Sequence, residues 1–231
     1  MVISDKKSFD SLLAKAKSGD ADSQFKVADI YSDGLRDKNN KFIVRQNHNL
    51  AYKWTEKAAA NGDISALSNL GNLVCDGLGC KKDINKAIEI YKHAISKGSS
   101  VSANNLATVY RDKGDYKTAF EYHLLAEKIA KVNYSFVVGL CYYTGLGVSV
   151  DKAKACKIFL KVSTDKKNYQ SQYERDEANY YLGLSYLTGT GVRKSLATAR
   201  KYLELANKDN DHRSSEELLI ILGKQRNIIT K

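Results

Sequence analysis

The chain has 231 residues, a formal net charge of +11, 43% apolar residues and no proline. That length suits one repeat array or up to two globular domains, and average usage would supply roughly 11 prolines, so this chain must turn with glycine instead. No stretch approaches the roughly 18 apolar residues of a membrane span, and Met1–Asp10, with Asp5, Lys6, Lys7 and Asp10, lacks a signal peptide's apolar run, so the expected location is cytoplasmic.

From the N-terminus, Phe9, Leu12 and Leu13 predict a capping helix over about 8–18. Five helix pairs are predicted after it, over about 20–62, 64–99, 100–132, 133–163 and 174–208. A last helix over about 214–224 opens a sixth unit and leaves it incomplete. Its apolar run Leu218–Leu222 must cover the preceding pair or meet another molecule. The expected architecture is a single all-α domain, an α/α superhelical solenoid of helix-turn-helix repeats.

The repetition rests on small residues in two phases. The first is Ala28, Gly71, Ala107, Gly139 and Gly183; the second is Ala51, Ala87, Ala119, Ala155 and Ala199. The step from first to second phase is 16 three times, 12 once and 23 once. Repeat periods of roughly 30–45 residues mark stacked helix hairpins. Two insertions interrupt the arithmetic, within Leu35–His48 and within Ser163–Asp176, and loops of this kind fall on one face of a repeat protein.

Residues 64–99 show why each unit is a hairpin. Ala66, Leu70, Gly71 and Val74 recur at helical spacing. Cys75-Asp76-Gly77-Leu78-Gly79 then breaks the helix, and Asp83, four residues before Ala87, stands where a helix N-terminus favours a capping carboxylate. Ala87, Tyr91 and Ala94 line the second helix, which ends at Lys97-Gly98.

The stretch Leu70-Gly71…Gly77-Leu78-Gly79…Asp83…Lys86-Ala87…Tyr91…Ala94 resembles the Sel-one-like repeat, a relative of the tetratricopeptide repeat. Tyr142–Val148 with Asp151, and Leu182-Gly183…Tyr186…Gly189-Thr190-Gly191-Val192, carry the same pattern. The block Asn104–Ala130, with its shorter step, looks more like an ordinary tetratricopeptide repeat. The resemblance covers about residues 20–207 and implies a family of adaptors and scaffolds with diverse partners. Some secreted members are cysteine-rich and linked to β-lactam binding. Here Ala58, Ala94, Ala126 and Ala206 occupy the helix-end positions where that subclass has cysteine.

No catalytic constellation can be assembled, so the chain is expected not to be an enzyme and to need no cofactor or metal. His48, His93, His123 and His212 lie apart, and Cys75 and Cys80 across a glycine turn are a weak metal signal. The four cysteines follow no single phase of the repeat, which reads as free thiols in a reducing compartment.

If the first helices line a concave groove, as in tetratricopeptide arrays, the Leu-Gly register gives its lining. Three residues before the first-phase residue come Phe25, Ser68, Asn104, Phe136 and Tyr180. One after it come Asp29, Asn72, Thr108, Leu140 and Leu184, and four after it Ser32, Cys75, Arg111, Tyr143 and Leu187. The expected partner-binding residues are Asn72, Asn104, Thr108 and Arg111 at a polar end and Phe136, Leu140, Tyr143, Tyr180, Leu184 and Leu187 at an apolar-aromatic end. The competing reading buries the apolar set between tightly wound repeats.

The functional expectation is a non-enzymatic interaction scaffold or adaptor that holds a protein partner in this groove. The diffuse positive charge, with a mild peak around Lys152–Lys167, suits an acidic partner. A bacterial immunity protein that covers a cytosol-acting toxin such as a nuclease is one specific form of this reading. An RNA-binding repeat protein is the alternative from another class, motivated by the charge and 15 tyrosines. Tyrosine is a consensus residue of the repeat, so nucleic acid is not the expected ligand.

Overall fold

The computed structural model describes residue 3 and residues 5–132, 135–165 and 170–229, without the side chains of 224–229. Among them are twelve helices. A first helix, α1 (Lys6–Lys17), precedes the pairs α2 (Ala21–Asp33) with α3 (His48–Ala60) and α4 (Ile64–Asp76) with α5 (Ile84–Ser96). Then come α6 (Ser100–Asp112) with α7 (Tyr116–Ala130), α8 (Phe136–Thr144) with α9 (Lys152–Ser163), and α10 (Gln172–Thr188) with α11 (Leu196–Ala206). The last helix is α12 (Arg213–Ile229). The chain forms two compact units, residues 1–109 and 110–231. The fold is all-α and built of helix hairpins, as the phased small residues require.

The residue four before each second-phase alanine is the N-cap of the second helix in all five pairs. Asn47, Asp83, Asp115, Asp151 and Ser195 each accept a hydrogen bond from the backbone N–H three residues on. Each such cap contributes about 1 kcal/mol to the local helix. The first glycine of each Gly-x-Gly turn ends the first helix in the left-handed conformation, at Gly77, Gly145 and Gly189. The second glycine serves a different purpose. At Gly147 an added Cβ would collide with the Tyr116 carbonyl and sit 3.0 Å from the Phe120 Cβ, so the turn rests directly on the first turn of the preceding unit's second helix.

The first-phase small residues make room for one large side chain inside each hairpin. An added Cβ at Gly71 would overlap the Tyr91 ring, at Gly139 it would come 2.7 Å from Phe159, and at Gly183 2.7 Å from Leu203. Each of these partners lies 20 residues on in sequence, four past the second-phase alanine. Tyr91, Phe159 and Leu203 are almost fully buried. In the two pairs whose first-phase residue is alanine, the corresponding position holds Thr55 or His123, both smaller than an aromatic carbocycle with substituents.

The insertion Leu35–His48 departs from the all-α pattern in a small way. It forms a two-stranded antiparallel hairpin, Leu35–Arg36 with Phe42–Val44. Val44 is buried, and the Arg36 guanidinium lies 3.5 Å over the Phe42 ring. Residues 166–169 of the second insertion lie outside the described residues. The flanking Gln170 is buried and accepts a hydrogen bond from the Phe136 amide at 3.2 Å, which occupies an otherwise orphaned donor at the start of α8. Leu222 and Ser215 of α12 are buried, so the last helix covers the pair before it, while Ile220 and Ile221 are about half exposed (50% and 52%).

Two predictions follow from this packing. Gly139→Ala and Gly183→Ala should each lower unfolding free energy by about 1–3 kcal/mol in urea titrations, because the methyl overlaps a buried side chain. Gly223→Ala meets nothing within 4 Å and should be neutral or stabilising by up to about 1 kcal/mol. The second concerns acid. Burial, with the Arg111 charge as a smaller cause, lowers the His123 pKa to about 4. The folded state therefore binds fewer protons than the unfolded one between the ordinary value of 6.5 and about 4. The contribution of neutral His123 is intact above that window and is lost as pH falls through it. Thermal melts of His123→Gln should show a shallower decline across the window than the parent chain.

Candidate functional site

The first-phase register places the groove rows, and the structure shows what each row meets. At Ser68, Phe136 and Tyr180 the row three before the small residue meets the segment that follows its hairpin. Ser68 Oγ and Ser99 Oγ are 2.8 Å apart, and Ser102 Oγ donates to Ser68 Oγ at 2.8 Å. Phe136 is buried and packs on Phe159 and on Tyr181 of the next first helix. Tyr180 packs on His212, just before α12, at a ring separation of 5.0 Å. The expectation of an exposed lining is therefore corrected for Ser68 and Phe136: this row is a seam between repeats, and its large members fill it.

Of the polar residues, Asn72 is engaged in the same way. Asn72 Oδ1 accepts from both Tyr91 Oη and Asn105 Nδ2, each at 2.7 Å, joining its own hairpin to the next. Thr108 Oγ1 donates back to the Asn104 carbonyl of its own helix at 3.3 Å. Asn104 is exposed. Arg111 is exposed and paired with Asp112 at 3.0 Å. Asn72, Asn104 and Thr108 belong to the first compact unit, and the other seven residues to the second.

Within the second unit the apolar set does come together. Phe136, Leu140 and Tyr143 form one stripe along α8, and Tyr180, Leu184 and Leu187 another along α10, each at i, i+4, i+7. Tyr181 and Phe159, which the register did not select, lock the stripes together. Tyr181 meets Tyr143 edge to face at 5.1 Å, stacks on Phe159 at 5.4 Å and touches Tyr180 at 5.5 Å. Lys152 Nζ sits 3.6 Å from the centre of the Tyr143 ring, a cation–π contact from α9. Phe136 is the buried floor, while Leu140, Tyr143, Tyr180, Leu184 and Leu187 are half-buried. The rings pack on one another, and Tyr143, Tyr180 and Tyr181 remain partly exposed.

An acidic cleft of about 400 Å³ adjoins this patch through His212. Asp176, Glu177, Asp209 and Asp211 line it with Tyr173, which is 69% exposed, and with one cation, Arg213, which pairs with Glu217. His212 Nε2 lies 3.4 Å from Glu177, while its Nδ1 accepts the Ser215 amide at 3.2 Å and so caps the start of α12. Burial raises the Asp176 pKa; Asp209 and Asp211 push the same way, against the lowering by the Gln172 hydrogen bond. Carboxylates that crowd in this way favour a cation beside them. The register missed the cleft because its residues sit outside the repeat motif, at the start of α10 and in the turn before α12. The local excess Asp209-Asn210-Asp211 in a basic chain was the available signal.

Burial pushes the Cys80, Cys141 and Cys156 thiols up, away from the reactive thiolate. Among the described residues no group of three His, Cys, Asp or Glu side chains could hold a metal ion, and no helix is long and apolar enough to cross a membrane.

The model of the Sel1 repeat matches four segments, residues 21–63, 64–99, 135–161 and 176–211. It passes over the block with the shorter step. A solved Sel1 repeat protein from Oxalobacter formigenes is similar over 91% of this chain and 86% of its own, at 19% identity and a TM-score of 0.67. A protective antigen of uropathogenic Escherichia coli strains, displaying an SLR fold, is 21% identical over 96% of this chain and 53% of its own, with a TM-score of 0.49. A Sel1 repeat protein from Klebsiella pneumoniae subsp. pneumoniae is 21% identical over 93% of this chain and 99% of its own, also at 0.49. These segments take in more than half of the residues and coincide with the hairpins described above, and the chain belongs to the Sel1 repeat family.

Proposed function

We propose that the chain is a non-catalytic protein-interaction module whose partner docks on the second unit. The observation that carries this reading is the ring-locked patch of Tyr143, Tyr180 and Tyr181 beside the carboxylate cleft. Half-exposed tyrosines already fixed in place lose little conformational freedom on binding, and aromatic anchors of this kind dominate protein interfaces. Leu140, Leu184 and Leu187 add apolar surface along the same two helices. The cleft adds a preference in charge. The chain is basic overall, yet Asp176, Glu177, Asp209 and Asp211 invite a lysine or arginine at this place. The partner segment that fits has apolar or aromatic side chains followed by a basic one, as an extended strand or a helix.

We place the activity in the cytosol. In support, the four cysteines are free thiols, as a reducing compartment leaves them. A role as an immunity protein against a toxin is a finer form of the same reading, and the identity of the captured partner decides it. The RNA-binding alternative loses support from the tyrosines. Tyr110 stacks on Tyr122 and Tyr186 on Tyr202, pairs that spend ring faces inside the fold.

The test is affinity capture with quantitative mass spectrometry, comparing the parent chain with Tyr143→Ala/Tyr180→Ala and with Asp209→Asn/Asp211→Asn. The tyrosine variant should lose about 2 kcal/mol or more of partner affinity, with far-ultraviolet circular dichroism unchanged. The carboxamide variant should bind more weakly at low salt and differ less at high salt. A partner retained equally by both variants refutes docking at this patch.

A further inference from the structure

We propose that the β-hairpin inserted between α2 and α3 is a docking surface for an acidic segment of a partner protein. Residues 35–48 carry Arg36, Lys38, Lys41 and Arg45 against the single acid Asp37. Residues 1–34 and 49–63 carry seven lysines against eight acids. The insertion is thus an island of positive charge in a stretch that is otherwise slightly acidic. The second-unit patch and its cleft favour a cation, whereas this hairpin selects an anion, so the two surfaces ask for different segments.

The one acid is spent inside the hairpin. Asp37 Oδ1 accepts the Asn39 and Lys41 amides, each at 2.9 Å, and closes the turn. All four cations are exposed, and among the described residues none of them pairs with a carboxylate. Exposed cations usually scatter, but Arg36 is held. Its guanidinium lies 3.5 Å from the centre of the Phe42 ring and donates through Nη1 to the Asn40 carbonyl at 2.7 Å. Among the described residues nothing accepts from its Nε or Nη2, an edge that takes a carboxylate in bidentate fashion. Arg45 approaches the same ring at 5.1 Å, and Phe42, 39% exposed, adds apolar surface beside both. The hairpin is anchored at its base. Val44 is buried, Gln46 Nε2 donates to the Ser32 carbonyl and the Asn47 amide to the Tyr31 carbonyl, each at 2.7 Å. A fixed scaffold therefore presents the charges, and binding has little of this chain left to order.

A protein segment fits this place better than a nucleic acid. Asp33 stands just before the hairpin, and Leu35 on its flank lines the same cleft as Asp20, Asp22 and Asp29. A phosphate backbone that ran on past the hairpin toward that flank would meet these carboxylates, whereas a segment with about two acids needs the hairpin alone. The guanidinium groups also occupy the Phe42 ring, on which a base would otherwise stack. The matching segment has carboxylates on either side of an apolar side chain.

Fluorescence anisotropy of the full chain with a labelled peptide built on the repeat Glu-Leu-Glu tests this. At about 50 mM salt the chain should bind that peptide and not its neutral Gln-Leu-Gln counterpart, with affinity falling as salt rises. Arg36→Gln/Arg45→Gln should weaken binding about fivefold or more, with helical content unchanged. Lys17→Gln/Lys97→Gln removes the same charge from exposed positions elsewhere in the first unit and should change affinity less than about twofold. Phe42→Leu keeps an apolar side chain but removes the ring that holds Arg36, and should also weaken binding. Failure of the chain to bind the acidic peptide overturns the proposal. Equal losses in the two double variants overturn it as well, since net charge alone would then attract the peptide. Tighter binding of single-stranded RNA, lost in Arg36→Gln/Arg45→Gln and kept in Lys17→Gln/Lys97→Gln, would give the hairpin to nucleic acid and overturn it too.

Discussion

One side chain seated in one small-residue notch organises three of the five hairpins, Tyr91 at Gly71, Phe159 at Gly139 and Leu203 at Gly183. A first helix gives up bulk at a single position, and the second helix supplies a tyrosine, phenylalanine or leucine that fills the space. The gain is twofold. The helix axes come close enough for dense packing, and the inserted side chain fixes the register between them, since no neighbouring position could accept it. The caps at Asn47, Asp83, Asp115, Asp151 and Ser195 then start each second helix at the one residue that brings the insertion into line. Repeats stack because the turn glycines let each unit rest on the backbone of the one before. Gly147 over Tyr116 shows how little space separates them.

Much of this was legible in the residues. The phased small residues, the capping carboxylates and the Gly-x-Gly turns are local signals, and each has a single structural use. What the spacing could not supply was direction. A residue three positions before the notch looks equally suited to a groove or to the seam with the next repeat. Phe136 lies in the seam and Tyr180 spans both, because the answer depends on the rotation of one hairpin against the next. Tyr181 and Phe159 went unselected for the same reason. Their importance arises from contacts between helices 20 or more residues apart in sequence. The acidic cleft is a further step removed, since it is assembled from the start of α10 and the turn before α12.

The two compact units put the same seam to different chemical use. In the first, hydroxyls and carboxamides close it: Ser68 with Ser99 and Ser102, Asn72 with Asn105. Such bonds satisfy buried polar groups and leave little that is sticky at the surface. In the second, aromatic rings close it: Phe136 and Phe159 are buried, while Tyr143, Tyr180 and Tyr181 stay half-buried. The surface proposed for a partner thus joins this seam to the turn before α12.

The pairing of notch and insert also limits how such a chain can be rearranged. Each glycine notch holds a large insert, and the two repeats with alanine in that phase have Thr55 or His123 at the insert's sequence position. Exchanging whole hairpins between repeats keeps each pair together. Exchanging single helices would join alanine to an aromatic, or glycine to a threonine, and produce overlap in one product and a void in the other. Whole hairpins are therefore the pieces of this chain that can be exchanged with their packing intact, and single helices are not.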